Sequence, residues 1–202
     1  MYKVNIQTLH GNWTYGWALD LHTISSHMLG HLNNHKIFNS ERTELGEGIY
    51  QIKYNDNMGQ NEKFEIIKNI AETAANFLNT RYVVTKDVVI IPTPPSKIRD
   101  FQPVYAMADL IGKFCNLYVD FNYISKTKNT PQLKSMDFNE KQNILDGAFD
   151  LRDMLYQNRK ILLFDDLYCS GSTLQEITKT LFLKGKVAKI YVLTITKTRT
   201  KK

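Results

Sequence analysis

The sequence has only two cysteines, Cys115 and Cys169, and neither belongs to a Cys-x-x-Cys pair. Two thiols cannot build a disulfide framework, and the lack of paired cysteines gives no support to a structural zinc site, so a reducing cytoplasm is the expected setting. No apolar run approaches the ~18 residues needed to cross a bilayer, and the Met1-Tyr2-Lys3 opening is not that of a signal peptide, so no membrane role is expected. Internal repeats and low-complexity tracts are also lacking. What remains is a chain of 202 residues, 43% apolar and 23% charged, enough for one domain, or a core with a modest annex. Its formal charge of +6 favours anionic partners and does not choose between a polyphosphate and nucleic acid.

The chemistry concentrates in Ile161-Leu162-Leu163-Phe164-Asp165-Asp166-Leu167-Tyr168-Cys169-Ser170-Gly171-Ser172-Thr173. Four consecutive apolar residues bounded by polar ones read as a strand buried on both faces of a parallel sheet. Asp165 and Asp166 fall where that strand surfaces, Cys169 to Thr173 form a small-residue turn, and Leu174, Ile177, Thr178, Leu181 and Phe182 share one face of a following helix. The turn and helix start offer backbone N–H groups and a positive dipole end to an anion, with hydroxyls from Ser170, Ser172 and Thr173. Gly171 permits positive φ and close approach of the backbone to a ligand. The two carboxylates suit a vicinal diol, or a water of a bound Mg²⁺. A ligand with a phosphate beside a ribose diol fits this arrangement. No Gly-Lys-Ser/Thr follows, so a Walker-type loop fits worse. A plain strand-to-helix turn with Thr173 and Glu176 as a capping box accounts for those two residues, but not for adjacent carboxylates at the end of an apolar strand.

Around this stretch the pattern is strand and helix in alternation. Residues 2–8 alternate as a half-exposed strand, and Trp13 to Thr23 reads as a second strand whose two tryptophans anchor a small N-terminal lobe. His22, His27, His31 and His35 invite a metal reading, but Gly30 and Asn33-Asn34 weaken a helix there, so a surface segment is preferred. Gly46-Glu47-Gly48 punctuates before a new unit at Ile49. A helix is predicted over 62–78, a buried strand over 87–91, and a stiff Pro92-Thr93-Pro94-Pro95-Ser96-Lys97 loop after it. A helix then starts at Pro103, and residues 117–124 are strand-like. The polar, Lys-rich stretch Ser125 to Lys141 is too long for an ordinary connection and is a candidate lid. Strand 160–166, helix 173–184, Gly185 as its stop and strand 187–195 complete a βαβ array. The expected division is 1–84 as an N-terminal hood segment with the first core helix, and 85–202 as the ligand-binding core.

At Asp165-Asp166 and Ser170-Gly171-Ser172-Thr173 the sequence resembles the type I phosphoribosyltransferases. Their pattern for 5-phosphoribosyl-1-pyrophosphate (PRPP) is an apolar strand, two acidic residues and a loop ending in Thr/Ser-Gly-x-Thr; Cys169 stands where Thr is commoner. Within that superfamily the chain looks like the ComF family over roughly 49–196. Ile52-Lys53-Tyr54 matches its apolar-Lys-Tyr motif, and Arg99-Asp100-Phe101-Gln102-Pro103 stands where it has Arg-Gly-Phe-Asn-Gln. Lys126 or Lys128, Thr130, Gln132, Asn143 and Gly147-Ala148-Phe149 follow the order of its lid, with the Asn-to-Gly spacing one residue longer. The four-cysteine zinc module common at the ComF N-terminus has no counterpart here.

The resemblance implies a type I phosphoribosyltransferase-like α/β fold, a twisted, mainly parallel sheet flanked by helices under a small N-terminal hood. Ligands of such sheets lie beyond the carboxyl ends of the strands. The implied activity is a glycosyl transfer in which a nitrogen acceptor displaces pyrophosphate from PRPP with Mg²⁺ as cofactor. Asp165 and Asp166 would be the catalytic pair, gripping ribose hydroxyls and Mg²⁺ directly or through water. Cys169, Ser170, Gly171, Ser172 and Thr173 would hold the 5-phosphate. Pro94, Pro95, Ser96, Lys97 and Arg99 would face pyrophosphate, and Lys126, Lys128 or Lys134 would close over it. A homodimer is left open. The alternative is a non-catalytic PRPP- or nucleotide-binding regulator or a ComF-like DNA-uptake adaptor. Lys184, Lys186, Lys189, Lys197, Arg199, Lys201 and Lys202, with no acidic residue between them, would supply its nucleic-acid footprint. Changing both aspartates to asparagine is expected to abolish PRPP binding and spare folding, strand-end carboxylates carrying little packing. Deleting 197–202 is expected to leave PRPP affinity nearly untouched.

Overall fold

The computed structural model describes residues 1–32, 35–81, 85–95, 100–128, 140 and 144–199; for 31–32 and 35–38 it describes the backbone alone. In chain order the elements are β1 (Gln7–Thr8), β2 (Tyr15–Leu21), β3 (Thr23–Leu32), β4 (His35–Arg42), α1 (Glu44–Tyr54), α2 (Gln60–Asn79) and β5 (Val88–Pro92). They continue with α3 (Pro103–Cys115), β6 (Tyr118–Val119), β7 (Ile124–Lys126), β8 (Phe149–Leu151), β9 (Lys160–Tyr168), α4 (Ser172–Leu183) and β10 (Lys189–Lys197).

The main sheet has the order β1-β2-β10-β9-β5-β6, parallel throughout except for the short outer pair β1–β2. The four apolar residues that open β9 alternate between two cores. Leu162 and Phe164 meet α1, α2 and α3, while Ile161 and Leu163 meet α4 through Leu174, Ile177 and Leu181. Burying both faces encloses this run of β9, each large apolar side chain contributing roughly 1.5–3 kcal/mol. This is the mixed α/β architecture expected, with β9 at its centre.

The N-terminal segment divides in a way its sequence does not announce. β2 lies in the main sheet beside β10, with Trp17 edge-on to Phe77 of α2 at 5.7 Å, so this tryptophan anchors the core rather than a separate lobe. Only β3 and β4 stand apart, as a two-stranded antiparallel sheet carrying the histidine-rich run. Gly46 and Gly48 also lie inside α1 and not before it. Tertiary packing explains both: a Cβ on Gly46 would meet the His22 carbonyl oxygen at 2.1 Å, and one on Gly48 would press on Ile66 and Ile70 of α2 at 3.3 and 3.4 Å. Close approach to β2 and α2 outweighs the cost of about 1 kcal/mol for a helical glycine. Thr43 caps α1, accepting from Gly46 N–H at 3.0 Å and donating to the Leu21 carbonyl at 2.6 Å, which fixes the helix to the end of β2.

No helix among the described residues is long and apolar enough to cross a membrane. Cys115 and Cys169 are free thiols, and burial pushes the Cys115 thiol up to about 11.

Candidate functional site

The carboxyl ends of β5, β9, β10 and β2 meet at one edge of the sheet, and β9 delivers Asp165 and Asp166 there. Alternation along the strand aims them at opposite faces, Asp165 toward the α4 side and Asp166 toward the α1 side. β5 ends at Pro92, and Thr93 follows it, donating its N–H to the Phe164 carbonyl at 2.8 Å while its hydroxyl hydrogen-bonds the Asp165 carboxylate. Asp165 Oδ1 also accepts the backbone N–H of Asp166 at 2.9 Å. Burial, followed by the neighbouring Asp166 charge, pushes the Asp165 carboxyl up to about 7 against the opposing pull of Lys53.

Asp166 has a different environment. Its side chain is only 6% exposed, and Oδ2 contacts the Lys53 ammonium projecting from the last turn of α1. Burial pulls the lysine pKa down, but the Asp166 charge and hydrogen bond outweigh it, and the net shift is upward. Lys53 therefore stays charged, as a buried ion pair requires. Next to this pair the Thr196 hydroxyl donates to the Asp166 carbonyl at 3.3 Å and lies 3.1 Å from His22 Nδ1. Burial and then the Arg42 and Lys53 charges lower the His22 pKa, favouring the neutral imidazole.

The loop after β9 has the geometry of an anion cradle. Gly171 is the N-cap of α4 in the left-handed region, φ +79°, and a Cβ there would stand 2.5 Å from the Tyr168 hydroxyl oxygen. No side chain caps this helix, so its first-turn amides point outward from a 12-residue dipole. Ser170 and Ser172 hydroxyls lie 3.0 Å apart; Ser172 is buried, Thr173 half-buried and Cys169 exposed. Thr198 fastens the loop from β10, its N–H donating to the Tyr168 carbonyl at 2.8 Å and its hydroxyl to the Cys169 carbonyl at 3.3 Å. Deletion of 197–202 would therefore loosen the loop, contrary to the expectation from sequence separation.

The capping box of Thr173 and Glu176 is not formed. Glu176 instead accepts the Gly147 N–H at 2.9 Å, so the buried carboxylate ties α4 to the Gly147-Ala148-Phe149 stretch. That stretch continues into β8, which pairs antiparallel with β7. Ser125 and Lys126 belong to β7, so the excursion predicted from Ser125 departs after Lys126. Thr127 N–H donates to the Ala148 carbonyl at 2.9 Å, and Lys128 Nζ to the Asp146 carbonyl at 2.8 Å. Lys128 thus helps close the root of the excursion.

Of the residues expected at the site, Asp165, Asp166 and Cys169 through Thr173 gather at this edge, with half-buried Pro94 and Pro95 beyond β5. Ser96, Lys97, Arg99, Lys134, Thr130, Gln132 and Asn143 lie outside the described residues. Sequence reasoning missed Thr93, Thr196, His22 and the contact made by Lys53. The last carried a signal: Leu45, Ile49 and Lys53 share one stripe of α1, placing a cation where a core residue belongs. Among the described residues no cluster of three or more histidine, cysteine or acidic side chains could hold a metal by itself. The carboxylate oxygens suit Mg²⁺ chemically, but with Lys53 against Asp166 they form a partial ligand set that a ligand's own oxygens would complete.

A mainly parallel α/β sheet presenting an acidic pair and a glycine-capped helix start at one edge is the class that fold and site define. In sequence the chain is similar to Competence protein F of Haemophilus influenzae, 30% identical over 98 residues, 46% of this chain and 43% of that protein. It is also similar to Competence protein ComFC of Bacillus subtilis, 27% identical over 110 residues, 54% of this chain and 45% of that protein. These two matches bear out the ComF resemblance, each spanning less than half of the relative's length. Among solved structures, a hypoxanthine phosphoribosyltransferase from Staphylococcus aureus aligns over 65% of this chain and 62% of its own, with 21% identity and a TM-score of 0.43. No family model matches the chain.

Proposed function

We propose that the chain binds PRPP with Mg²⁺ at the carboxyl edge of the sheet and transfers the phosphoribosyl group to a nitrogen acceptor, releasing pyrophosphate. One observation carries this reading: Asp165, Asp166 and the uncapped start of α4 are presented together within a single strand–loop–helix unit. The first-turn amides of α4 with the Ser170, Ser172 and Thr173 hydroxyls hold the 5-phosphate. Asp165 accepts from the ribose hydroxyls, oriented by Thr93 and the Asp166 N–H. Asp166 is the second carboxylate, positioned by Lys53. When bound, Mg²⁺ would be held by carboxylate oxygens of the acidic pair together with the ligand's own oxygens, and would supply neutralisation of charge on the pyrophosphate. Pro94 and Pro95, which follow β5 at the same edge, face the pyrophosphate.

In the transfer the acceptor nitrogen's lone pair forms the new bond to C1. The C1–O bond breaks with its electrons going to pyrophosphate, and the acceptor nitrogen loses one proton. The protein orients both partners and stabilises an oxocarbenium-like charge without a covalent intermediate.

Calorimetry with PRPP and Mg²⁺, followed by a pyrophosphate-release screen over purines, pyrimidines and amines, tests the reading. Saturable PRPP binding with release for at least one acceptor supports transfer. No PRPP binding at any magnesium concentration sinks it.

The names of the two competence relatives favour a second reading, a PRPP-binding regulator or DNA-uptake adaptor that does not turn over. Its basic run is divided by the structure. Lys184 pairs with Asp150 below the sheet, whereas Arg199 donates to the Ile24 carbonyl at the far end of β10, about 30 Å away for nine strand residues. PRPP binding without release for any acceptor, together with salt-dependent DNA affinity, selects this second reading.

A further inference from the structure

The ion pair between α1 and β9 has a consequence for the order in which ligands enter. Asp166 Oδ2 is sealed from solvent, and the Lys53 ammonium is the cation against it. Lys53 is not free to wander. Ile49 and Ile52 bury α1 in the core, Thr43 fixes its start to β2, and the helix's negative C-terminal end favours an ammonium in the last turn. Two adjacent carboxylates without that cation would share a poorly hydrated site with no compensating charge, and a divalent ion, displacing any proton they share, would supply it. With Lys53 in place one negative charge is cancelled, and Oδ2 is withheld from a metal.

We infer that Lys53 is a fixed internal counter-ion that makes divalent-metal binding at the acidic pair conditional on the polyphosphate ligand. The inference rests on the PRPP reading for the identity of that ligand. The metal enters with ligand oxygens completing its shell, and the free protein does not hold it. Lys53 is thus a positioning residue: it acts through Asp166 and fixes how many carboxylate oxygens the site can offer.

The test uses the full chain with Mn²⁺, whose free form is read directly by electron paramagnetic resonance. Wild-type protein should leave the free Mn²⁺ signal intact when PRPP is absent and, when PRPP is added, reduce it beyond the fall that PRPP alone causes in a protein-free control. Lys53→Met should bind Mn²⁺ without PRPP at least about tenfold more tightly than wild type, since one compensating charge has gone. Lys53→Arg should behave as wild type. Lys53→Met combined with Asp166→Asn removes both charges, avoids an unpaired buried ion, and should lose the metal-alone binding again. Mn²⁺ binding by wild type alone as tight as by Lys53→Met overturns the inference. So does Lys53→Met gaining no affinity over wild type. Should Lys53→Met fail to fold, tight Mn²⁺ binding by wild type, or by Lys53→Arg, still refutes it, and their silence with metal alone supports it. Failure of the PRPP reading looks different: PRPP would lower the wild-type signal no further than it does without protein, while the metal-alone contrast between wild type and Lys53→Met persisted.

Discussion

Asp165 lies on the α4 side of the sheet with Thr93 and the phosphate-loop side of the site, whereas Asp166, the next residue, is closed against Lys53 on the α1 side. One carboxylate has hydrogen-bond donors around it and burial keeps it reluctant to ionise; the other is closed against a buried cation. Adjacent identical residues on a buried strand thus come to have different surroundings, hydrogen-bond donors on one face and a buried cation on the other. The double substitution expected to spare folding does not respect that difference.

Separate substitutions sharpen the contrast, and the largest effect belongs to Asp166. Asp166→Asn leaves Lys53 buried without its partner, and should cost about 3–5 kcal/mol in urea unfolding. Asp165→Asn should cost little stability, or add some, while PRPP affinity falls below detection by calorimetry. The two variants should also separate in pH dependence when metal is removed by a chelator. A carboxyl whose folded pKa is raised binds its proton more tightly in the folded chain, so its contribution is fully present at low pH. That contribution is lost as pH rises from about 4, the unfolded value, through about 7. Asp165→Asn should remove this decline from the pH profile of chemical unfolding. An unchanged profile would show that Asp165 is not the group responsible.

Gly171→Ala probes the loop on the Asp165 side. A left-handed residue other than glycine costs roughly 1–2 kcal/mol, and the added Cβ would also displace Tyr168. PRPP affinity should drop at least tenfold by calorimetry, with a smaller fall in melting temperature. Full retention of affinity would detach Gly171 from the phosphate site.

How far these two faces were legible differs for physical reasons. The β9 core, the acidic pair, the small-residue turn and α4 are contiguous in sequence, so periodicity and local chemistry find them together. Helix α2 and strand β5 were equally readable from their apolar spacing. The Lys53 contact, by contrast, joins residues 113 positions apart, and nothing local to Asp166 reports it. Gly46 and Gly48 misled because glycine's freedom is what a chain shows locally, while the need for close packing is set by β2 and α2. Glu176 misled similarly: its spacing from Thr173 fits a cap, yet Gly147 from a distant loop claims the carboxylate.

Glu176 offers the next test. Glu176→Ala strands the Gly147 N–H and should cost about 1–3 kcal/mol, whereas Glu176→Gln keeps an acceptor and should restore most of that in thermal unfolding. Equal losses in the two variants would mean that the carboxylate's charge, and not the hydrogen bond, is what matters. The smallest expected effect is from Thr198→Val, which deletes the hydroxyl bond to the Cys169 carbonyl and leaves the backbone bond to Tyr168. It should cost about 0.5–1.5 kcal/mol and weaken PRPP binding only a few-fold, by calorimetry.

The root formed by Thr127, Ala148, Gly147 and Glu176 bears on how the molecule tolerates change in length. Both ends of the intervening segment are clamped to β7, β8 and α4, so a change in its length falls between fixed points. Doubling such a loop adds only about 0.6 kcal/mol of closure entropy. The extra residue between Asn143 and Gly147 relative to the ComF pattern is a small natural instance.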